Sequence, residues 1–113
     1  MCTKVQLQAI LSMVYQKSVV EFGDKLDAVI LYGSYARGDY DEESDIDIMV
    51  RVKMTQKELK KYQWEFSSFS SDLDLEHNVV TSINLQDFDL FDKYKDDLPF
   101  YTNVIREGVQ ISA

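Results

Sequence analysis

Apolar residues recur along the chain with two different periods, and the change of period separates predicted helices from predicted strands. Near the N-terminus they follow one helical face, and Gly23 after Phe22 is a suitable end for this first helix. A second helical stripe predicts a helix over about residues 56–76, with Thr55 and Glu58 spaced as a capping box at its start. The stripes consist of Leu7, Ile10, Leu11 and Val14, then Leu59, Tyr62, Phe66, Phe69 and Leu73.

Two strands are predicted between these helices. Ala28–Tyr32 is a continuous apolar run, which is typical of a strand covered on both faces. Ser44–Val52 alternates instead, so one of its faces is predicted to be core and the other an active surface. If the two strands pair antiparallel, the end of the first lies beside the start of the second. The core face would carry Ile46, Ile48, Val50 and Val52, and the active face Asp45, Asp47, Met49 and Arg51.

The last third of the chain predicts three more elements. We expect a strand over Val79–Leu85, a short helix over Gln86–Tyr94 and a final helix over Pro99–Glu107. Proline suits the start of that last helix, and Gly108 suits its end. The aromatic residues of this region either complete the core or form a docking surface.

Composition and charge limit the classes of partner and substrate that are expected for this chain. The chain has 113 residues with 20 acids against 12 bases, a net charge of −8, and no cluster of lysine or arginine. Polymeric nucleic acid is therefore not expected as a substrate. The length fits one domain over residues 1–113. The single cysteine cannot form an internal disulfide and no membrane span or export signal is recognisable, so we expect a cytoplasmic protein without membrane attachment.

The strongest chemical signal is Gly33-Ser34 followed after ten residues by Asp45 and Asp47. A glycine lets backbone approach a phosphate closely, and Ser34 can open a short helix whose amide groups attract anions, with Arg37 in its first turn. Carboxylates two residues apart on a strand lie roughly 6–7 Å apart, close enough to hold one divalent cation or bracket a pair. The pattern predicts metal-assisted phosphate chemistry.

The acidic segment has other interpretations. Six acids between residues 39 and 47 repel one another, which a bound cation relieves, but a solvated acidic turn is the plain alternative. An EF-hand loop fails because Ser44 and Val50 occupy its glycine and bidentate-glutamate positions. A Walker loop fails because no Gly-Lys-Ser/Thr follows the glycine. For Arg37, the alternative to phosphate binding is a salt bridge to Asp39 or Glu43.

The string Gly33–Asp39 with Ser44–Asp47 resembles the signature of the minimal nucleotidyltransferases, members of the polymerase β-like superfamily. Leu98–Val109 also resembles the C-terminal end of a bacterial branch of these proteins. The resemblance implies an α/β (α+β) fold, a small mixed β-sheet flanked by helices. It also implies Mg²⁺ held by the paired aspartates and a triphosphate held by the Gly-Ser turn.

The same resemblance implies a reaction and a partner. The reaction is transfer of a nucleoside monophosphate, AMP from ATP, with loss of pyrophosphate. The partner is a helical HEPN-domain protein in a toxin–antitoxin pair, with the toxin neutralised by nucleotidylation. A third carboxylate on a neighbouring strand helps activate the acceptor in this family, but the strand after the long helix offers Thr81, Ser82 or Ile83 there. Two hypotheses therefore remain, an adenylyltransferase acting on a partner protein and a binding module that neutralises its partner by occlusion.

Three other side chains carry weaker expectations. Trp64 lies off the apolar stripe of its helix, and partial burial against a neighbouring element is expected, with an interface or base stacking as the alternatives. His77 is expected to cap the helix or lie at the surface. Tyr35 either faces the nucleotide or packs elsewhere.

Overall fold

A computed structural model describes residues 2–111, and within that range a single mixed sheet carries helices on both faces. The strand order is β3-β2-β1-β4, with β2 and β3 parallel and the other two pairs antiparallel. The strands are β1 Leu26–Tyr32, β2 Ile46–Val52, β3 Thr81–Asp87 and β4 Val109–Ile111. The helices are α1 Lys4–Phe22, α2 Ser34–Arg37, α3 Gln56–His77, α4 Phe88–Tyr94 and α5 Pro99–Glu107.

The helix ends follow from local sequence. The side chain of Thr55 accepts from the Glu58 amide and the Glu58 side chain accepts from the Thr55 amide, so the predicted capping box is confirmed. Gly23, at φ 51°, ends α1 in a conformation that glycine adopts readily, and Pro99 begins α5 as predicted. None of the helices in residues 2–111 combines the length and apolar character that a membrane crossing requires.

The larger hydrophobic core lies between the sheet and helices α1 and α3. The predicted core face of β2 is confirmed, because its four alternate residues from Ile46 to Val52 are almost completely buried. From α3, Leu59 and Phe66 pack into the same core, and the Phe66 ring stacks on Phe22 of α1 at 5.5 Å. We call this side of the sheet the core face.

The opposite side, which we call the site face, carries a second and smaller core. Met49 of β2 is fully buried there, under Phe91 of α4 and under Tyr101 and Val104 of α5. The expectation that this side of β2 is an open surface is therefore wrong at its centre, because the two short helices after β3 fold back over it. Only the end of the strand near Asp47 stays accessible.

Strand boundaries differ from the predicted ones by two residues. β2 begins at Ile46 and not at Ser44, so Asp45 immediately precedes the strand. β3 begins at Thr81 and not at Val79, because Asn78 ends α3 in the left-handed region at φ 53°. The three-residue strand β4 was not predicted, since so short a segment carries no usable alternation.

Candidate active site

Gly33 and Asp47 meet at one edge of the sheet. Tyr32, the last residue of β1, is the antiparallel partner of Asp47, so the residue after it lies beside that carboxylate. A Cβ built on Gly33 would overlap Asp47 Oδ2 and lie 3.3 Å from its Cγ. Gly33 also has φ 74° and ψ −156°, a conformation almost restricted to glycine. Both the space and the backbone therefore require glycine here.

A single helical turn follows this glycine. The amides of Ala36 and Arg37 donate to the Gly33 carbonyl at 3.1 and 3.0 Å, which closes helix α2. The first amides of a helix have no acceptor within it, and α2 begins directly after Gly33, beside Asp47. Ser34 begins the short helix as predicted, and Arg37 is its last residue because the helix has only one turn.

The two aspartates interact electrostatically. Burial raises the pKa of Asp47 above its ordinary value, the charge of Asp45 raises that pKa further, and Arg37 lowers it. Asp45 is exposed just before β2, and Asp47 is partly buried within the strand. Across residues 2–111, no group of three or more Asp, Glu, His or Cys side chains is placed to hold a metal ion. The site therefore offers two carboxylates and not three.

Arg37 lies at the rim of the site and is held by two acids. Its Nε donates to Asp39 Oδ2 at 3.2 Å and its Nη1 to Glu107 Oε2 at 3.1 Å, which raises the pKa of the guanidinium. The Asp39 pair was one of the two salt bridges considered from the sequence, whereas the second partner is Glu107 and not Glu43. The side chain of Arg37 is still 42% exposed, so an incoming anion can replace these contacts.

A pocket of about 360 Å³ opens between the glycine turn and helix α5. The sequence predicted the β1, α2 and β2 side of its wall but not the α5 side. The ring of Phe100 meets Tyr32 edge-on at 5.5 Å and is partly exposed. No local signal indicated this wall, because the pairing of β4 with β1 brings α5 here from far along the chain. The lining is Tyr32, Gly33, Ser34, Arg37, Asp47, Phe100, Asn103, Val104 and Glu107.

Strand β3 shows what occupies the neighbouring position. In its parallel register with β2, Ser82 is the partner of Asp47 and Asn84 the partner of Met49, so both project to the site face. Burial and the Asp47 charge raise the pKa of Tyr32, and the side chain of Asn84 lowers it, which places that amide at the same site. Neutral side chains therefore occupy the site-face positions of β3, where the family resemblance implies a third acid.

The remaining candidates lie away from the pocket. Tyr35 is buried in the larger core, where its ring stacks on Tyr40 at 4.2 Å. His77 is the last residue of α3, and its backbone carbonyl accepts a hydrogen bond from the Gln6 side chain at 2.6 Å. Its ring is half-buried, with Nε2 lacking a hydrogen-bond partner within residues 2–111, so the structure does not show the expected capping or surface role. The expected partial burial of Trp64 is wrong, because its side chain is 83% exposed. It projects from α3 directly opposite the buried stripe.

The chain belongs to the nucleotidyltransferase domain family, whose sequence model matches residues 14–105. It is a nucleotidyltransferase by this membership and by its curated relatives. It is 34% identical over 89 residues to "Putative protein adenylyltransferase MJ0604" of Methanocaldococcus jannaschii, covering 78% of this chain and 80% of that protein. It is 33% identical over 93 residues to "Putative protein adenylyltransferase MJ1379" of the same organism, covering 82% and 83%.

A third relative matches more strongly over a shorter stretch. "Putative protein adenylyltransferase MJ0141" of the same organism is 77% identical over 30 residues, which is 26% of this chain and 30% of that protein. In this match the chain spans less than a third of the relative's length.

Solved structures share the fold. A toxin–antitoxin complex with AMP-PNP has a TM-score of 0.52 at 20% identity, covering 85% of this chain and 68% of that one. A mutant MntA-HpeT toxin–antitoxin complex has a TM-score of 0.51 at 22% identity, covering 90% and 72%. The predicted mixed sheet flanked by helices is confirmed by these matches and by the topology above.

Proposed function

We propose that this nucleotidyltransferase transfers AMP from ATP to a hydroxyl group of a partner protein, in a Mg²⁺-dependent reaction. The observation that supports the proposal is the close approach of Gly33 to the Asp47 carboxylate, the two groups to which we assign phosphate binding and metal binding. The names of the curated relatives support a protein acceptor and an adenylyl group.

The residues present fit a magnesium ion. Asp45 and Asp47 supply only oxygen ligands, which Mg²⁺ prefers, and two carboxylates leave room for water and substrate phosphates. The raised pKa of Asp47 shows that burial and the charge of Asp45 disfavour its ionised form, and a cation would relieve both penalties. When bound, the ion would reduce the negative charge of the reacting phosphates.

The side chains of the pocket would position the substrates. We infer that the Gly33 turn and the Ser34 hydroxyl bind the triphosphate and that Arg37 exchanges its carboxylate partners for a phosphate oxygen. The acceptor oxygen would then attack the α-phosphorus in line with the leaving group. One P–O bond forms, the bond to pyrophosphate breaks, and the hydroxyl proton passes to solvent.

We propose further that the acceptor is a HEPN-domain toxin in the cytoplasm and that this chain is its antitoxin. The structural matches to toxin–antitoxin complexes support a protein partner, and the family resemblance supports the HEPN type. We also propose that residues 1–113 form one nucleotidyltransferase domain, which the family match over residues 14–105 supports.

One observation favours a second candidate function. Because β3 places Ser82 and Asn84 on the site face, no acid of that strand assists the two aspartates. A chain with this deficit could act as a binding module, retaining nucleotide affinity while it neutralises its partner by forming a complex.

Incubation with α-labelled ATP, Mg²⁺ and the product of the neighbouring gene tests these alternatives. We expect label on the partner with the wild type, and a loss of about 100-fold or more with Asp45→Asn. Glu42→Gln is the matched control, since it removes one charge from the same loop and its side chain makes no hydrogen bond within residues 2–111. Absence of transfer, with Asp45→Asn inhibiting the partner as the wild type does, would establish the binding module instead.

A further inference from the structure

Helix α3 presents an outward face that no other part of residues 2–111 covers. The inward stripe of α3 is formed by its buried residues Leu59, Phe66 and Leu73. The opposite stripe carries Trp64 and Leu75, whose side chains are 83% and 85% exposed. These two residues are eleven positions apart, three helical turns or about 16 Å along one line. Trp64 is the largest of the exposed apolar side chains within residues 2–111, and Leu75 lies on the same helical line.

The surface between the two apolar residues is low and grooved. Small side chains occupy the ridge, which lets another helix approach closely. A groove of about 280 Å³ runs along one side, lined by Lys17, Trp64 and Phe69 among others, and one of about 320 Å³ runs along the other side against β3. The small residues of the ridge are Ser67, Ser68 and Ser71.

On the outward face of this helix the charge changes sign from one end to the other, whereas Glu58 and Glu65 of the N-terminal half lie on its flank. Lys57, Lys60 and Lys61 lie in the N-terminal half, whereas Asp72 and Glu76 lie in the C-terminal half, and all five are exposed. Apart from Glu58, which closes the capping box, this polarity opposes the helix dipole, which favours acids at the N-terminus and bases at the C-terminus. None of the five takes part in a salt bridge within the described chain. The arrangement therefore does not serve the stability of the isolated helix.

We propose that the outward face of α3 is a self-association surface on which a second copy of this chain docks, with the two α3 helices antiparallel. A two-fold axis at the level of Phe66 and Ser67 places Lys61 of each copy opposite Asp72 of the other, because these two residues are eleven positions apart and lie on one line of the helix. The same axis lays each Trp64 ring across the serine ridge and groove of the opposite helix. A face that is basic at one end and acidic at the other is complementary to itself in this orientation.

The size of the surface predicts a weak dimer. Each tryptophan can bury about 150–250 Å², but a single helix pair lies at the lower end of specific interfaces, which begin near 1,200 Å² in total. The surface lies on the core face of the sheet, away from α5 and the pocket. Self-association is therefore expected to leave the nucleotide site open.

Trp64 is the only tryptophan of the chain and reports directly on this surface. Sedimentation velocity and tryptophan emission are measured on the same samples from about 1 μM to about 1 mM. We expect a shift from monomer to dimer that is accompanied by a blue shift and by protection from acrylamide quenching. Trp64→Ala should stay monomeric, whereas Ile105→Ala, which removes a 54% exposed apolar side chain from α5, should dimerise like the wild type.

Charge exchange provides the second and more specific test. We expect the double variant Lys60→Glu/Lys61→Glu to be monomeric, and Asp72→Lys/Glu76→Lys as well. An equimolar mixture of the two should associate again as a heterodimer, because each restores the charge that the other lacks. A general loss of folding cannot produce this rescue.

Three results would overturn the proposal. The first is a monomer throughout the concentration range. The second is a dimer in which Trp64 stays as accessible to quencher as in the monomer. The third is a dimer that neither Trp64→Ala nor the charge variants weaken. If the chain never self-associates but an unrelated protein binds at Trp64, the occupant of this surface is not a second copy.

Discussion

The two faces of the sheet have different roles. The core face carries most of the buried side chains, which come from the strands and from the long helices α1 and α3. The site face carries a small core under two short helices and leaves an acidic edge open beside Gly33. The difference teaches that stability and chemistry are separated across the sheet, so that each can be perturbed alone.

The largest effect is expected on the core face. Leu59 is fully buried, so Leu59→Ala should lower the free energy of unfolding by about 2–5 kcal/mol through lost burial and a cavity. Urea denaturation measures this loss. Affinity for ATP and Mg²⁺, measured where the variant is still folded, should change little, and a large loss of affinity would show that the two faces are not separable.

The second effect falls on the site face. Asp47→Asn should reduce transfer about 100-fold or more, because the pocket loses the carboxylate that Gly33 faces. The same variant should not lower the stability of the metal-free protein, since it removes a charge that burial and Asp45 disfavour. Thermal melting with and without Mg²⁺ measures the stability of both proteins. Added Mg²⁺ should raise the melting temperature of the wild type only. A destabilised variant with intact transfer would reverse the roles assigned to the two faces.

These predictions rest on features that the sequence revealed to different degrees. The caps of α3 and the alternation of β2 are local, so Thr55, Glu58 and the core face were predictable from neighbouring residues. The α5 wall of the pocket depends on the pairing of β4 with β1, a contact between distant segments without its own signal. The burial of Met49 was missed for the same reason.

Side-chain exposure was the least predictable property. The helical stripe placed Trp64 opposite the core, but periodicity does not say whether another element covers that side, and none within residues 2–111 does. The approach of Gly33 to the start of β2, in contrast, followed from two strand ends and an assumed antiparallel pairing, which the structure contains. The sequence placed Asp45 beside the turn, whereas the structure places Asp47 there.

A smaller effect should follow from supplying the missing acid. Ser82 is the strand partner of Asp47, so Ser82→Asp would place a third carboxylate on the site face. We expect an increase of about tenfold in Mg²⁺ affinity, because ligand charge tunes such sites. Isothermal titration measures it, with Ser82→Asn as the neutral control of the same shape. Equal affinity in the two variants would show that this strand position does not reach the ion.

The smallest expected effect is a pH dependence of stability without metal. The pKa of Asp47 lies above its ordinary value of 3.8, so the folded chain binds this proton more tightly than the unfolded chain. Its stabilising contribution is fully present below the unfolded pKa and is lost as pH rises through the folded pKa. Unfolding free energies of the wild type and Asp47→Asn, compared from pH 3.8 upward, should diverge with this sign. Parallel curves would contradict it.

The central claim, that a phosphate-binding turn and a metal-binding carboxylate meet at Gly33, is tested most directly by a pair of glycine variants. Gly33 and Gly38 both have positive φ, at 74° and 89°, but a Cβ at Gly33 overlaps Asp47 whereas a Cβ at Gly38 has nothing within 4 Å. Titration calorimetry with an ATP analogue and Mg²⁺, at a temperature where both variants are folded, separates backbone strain from loss of the site. We predict that Gly33→Ala loses at least about tenfold in Mg²⁺-dependent affinity while Gly38→Ala keeps it. Equal affinities in the two variants would contradict the account.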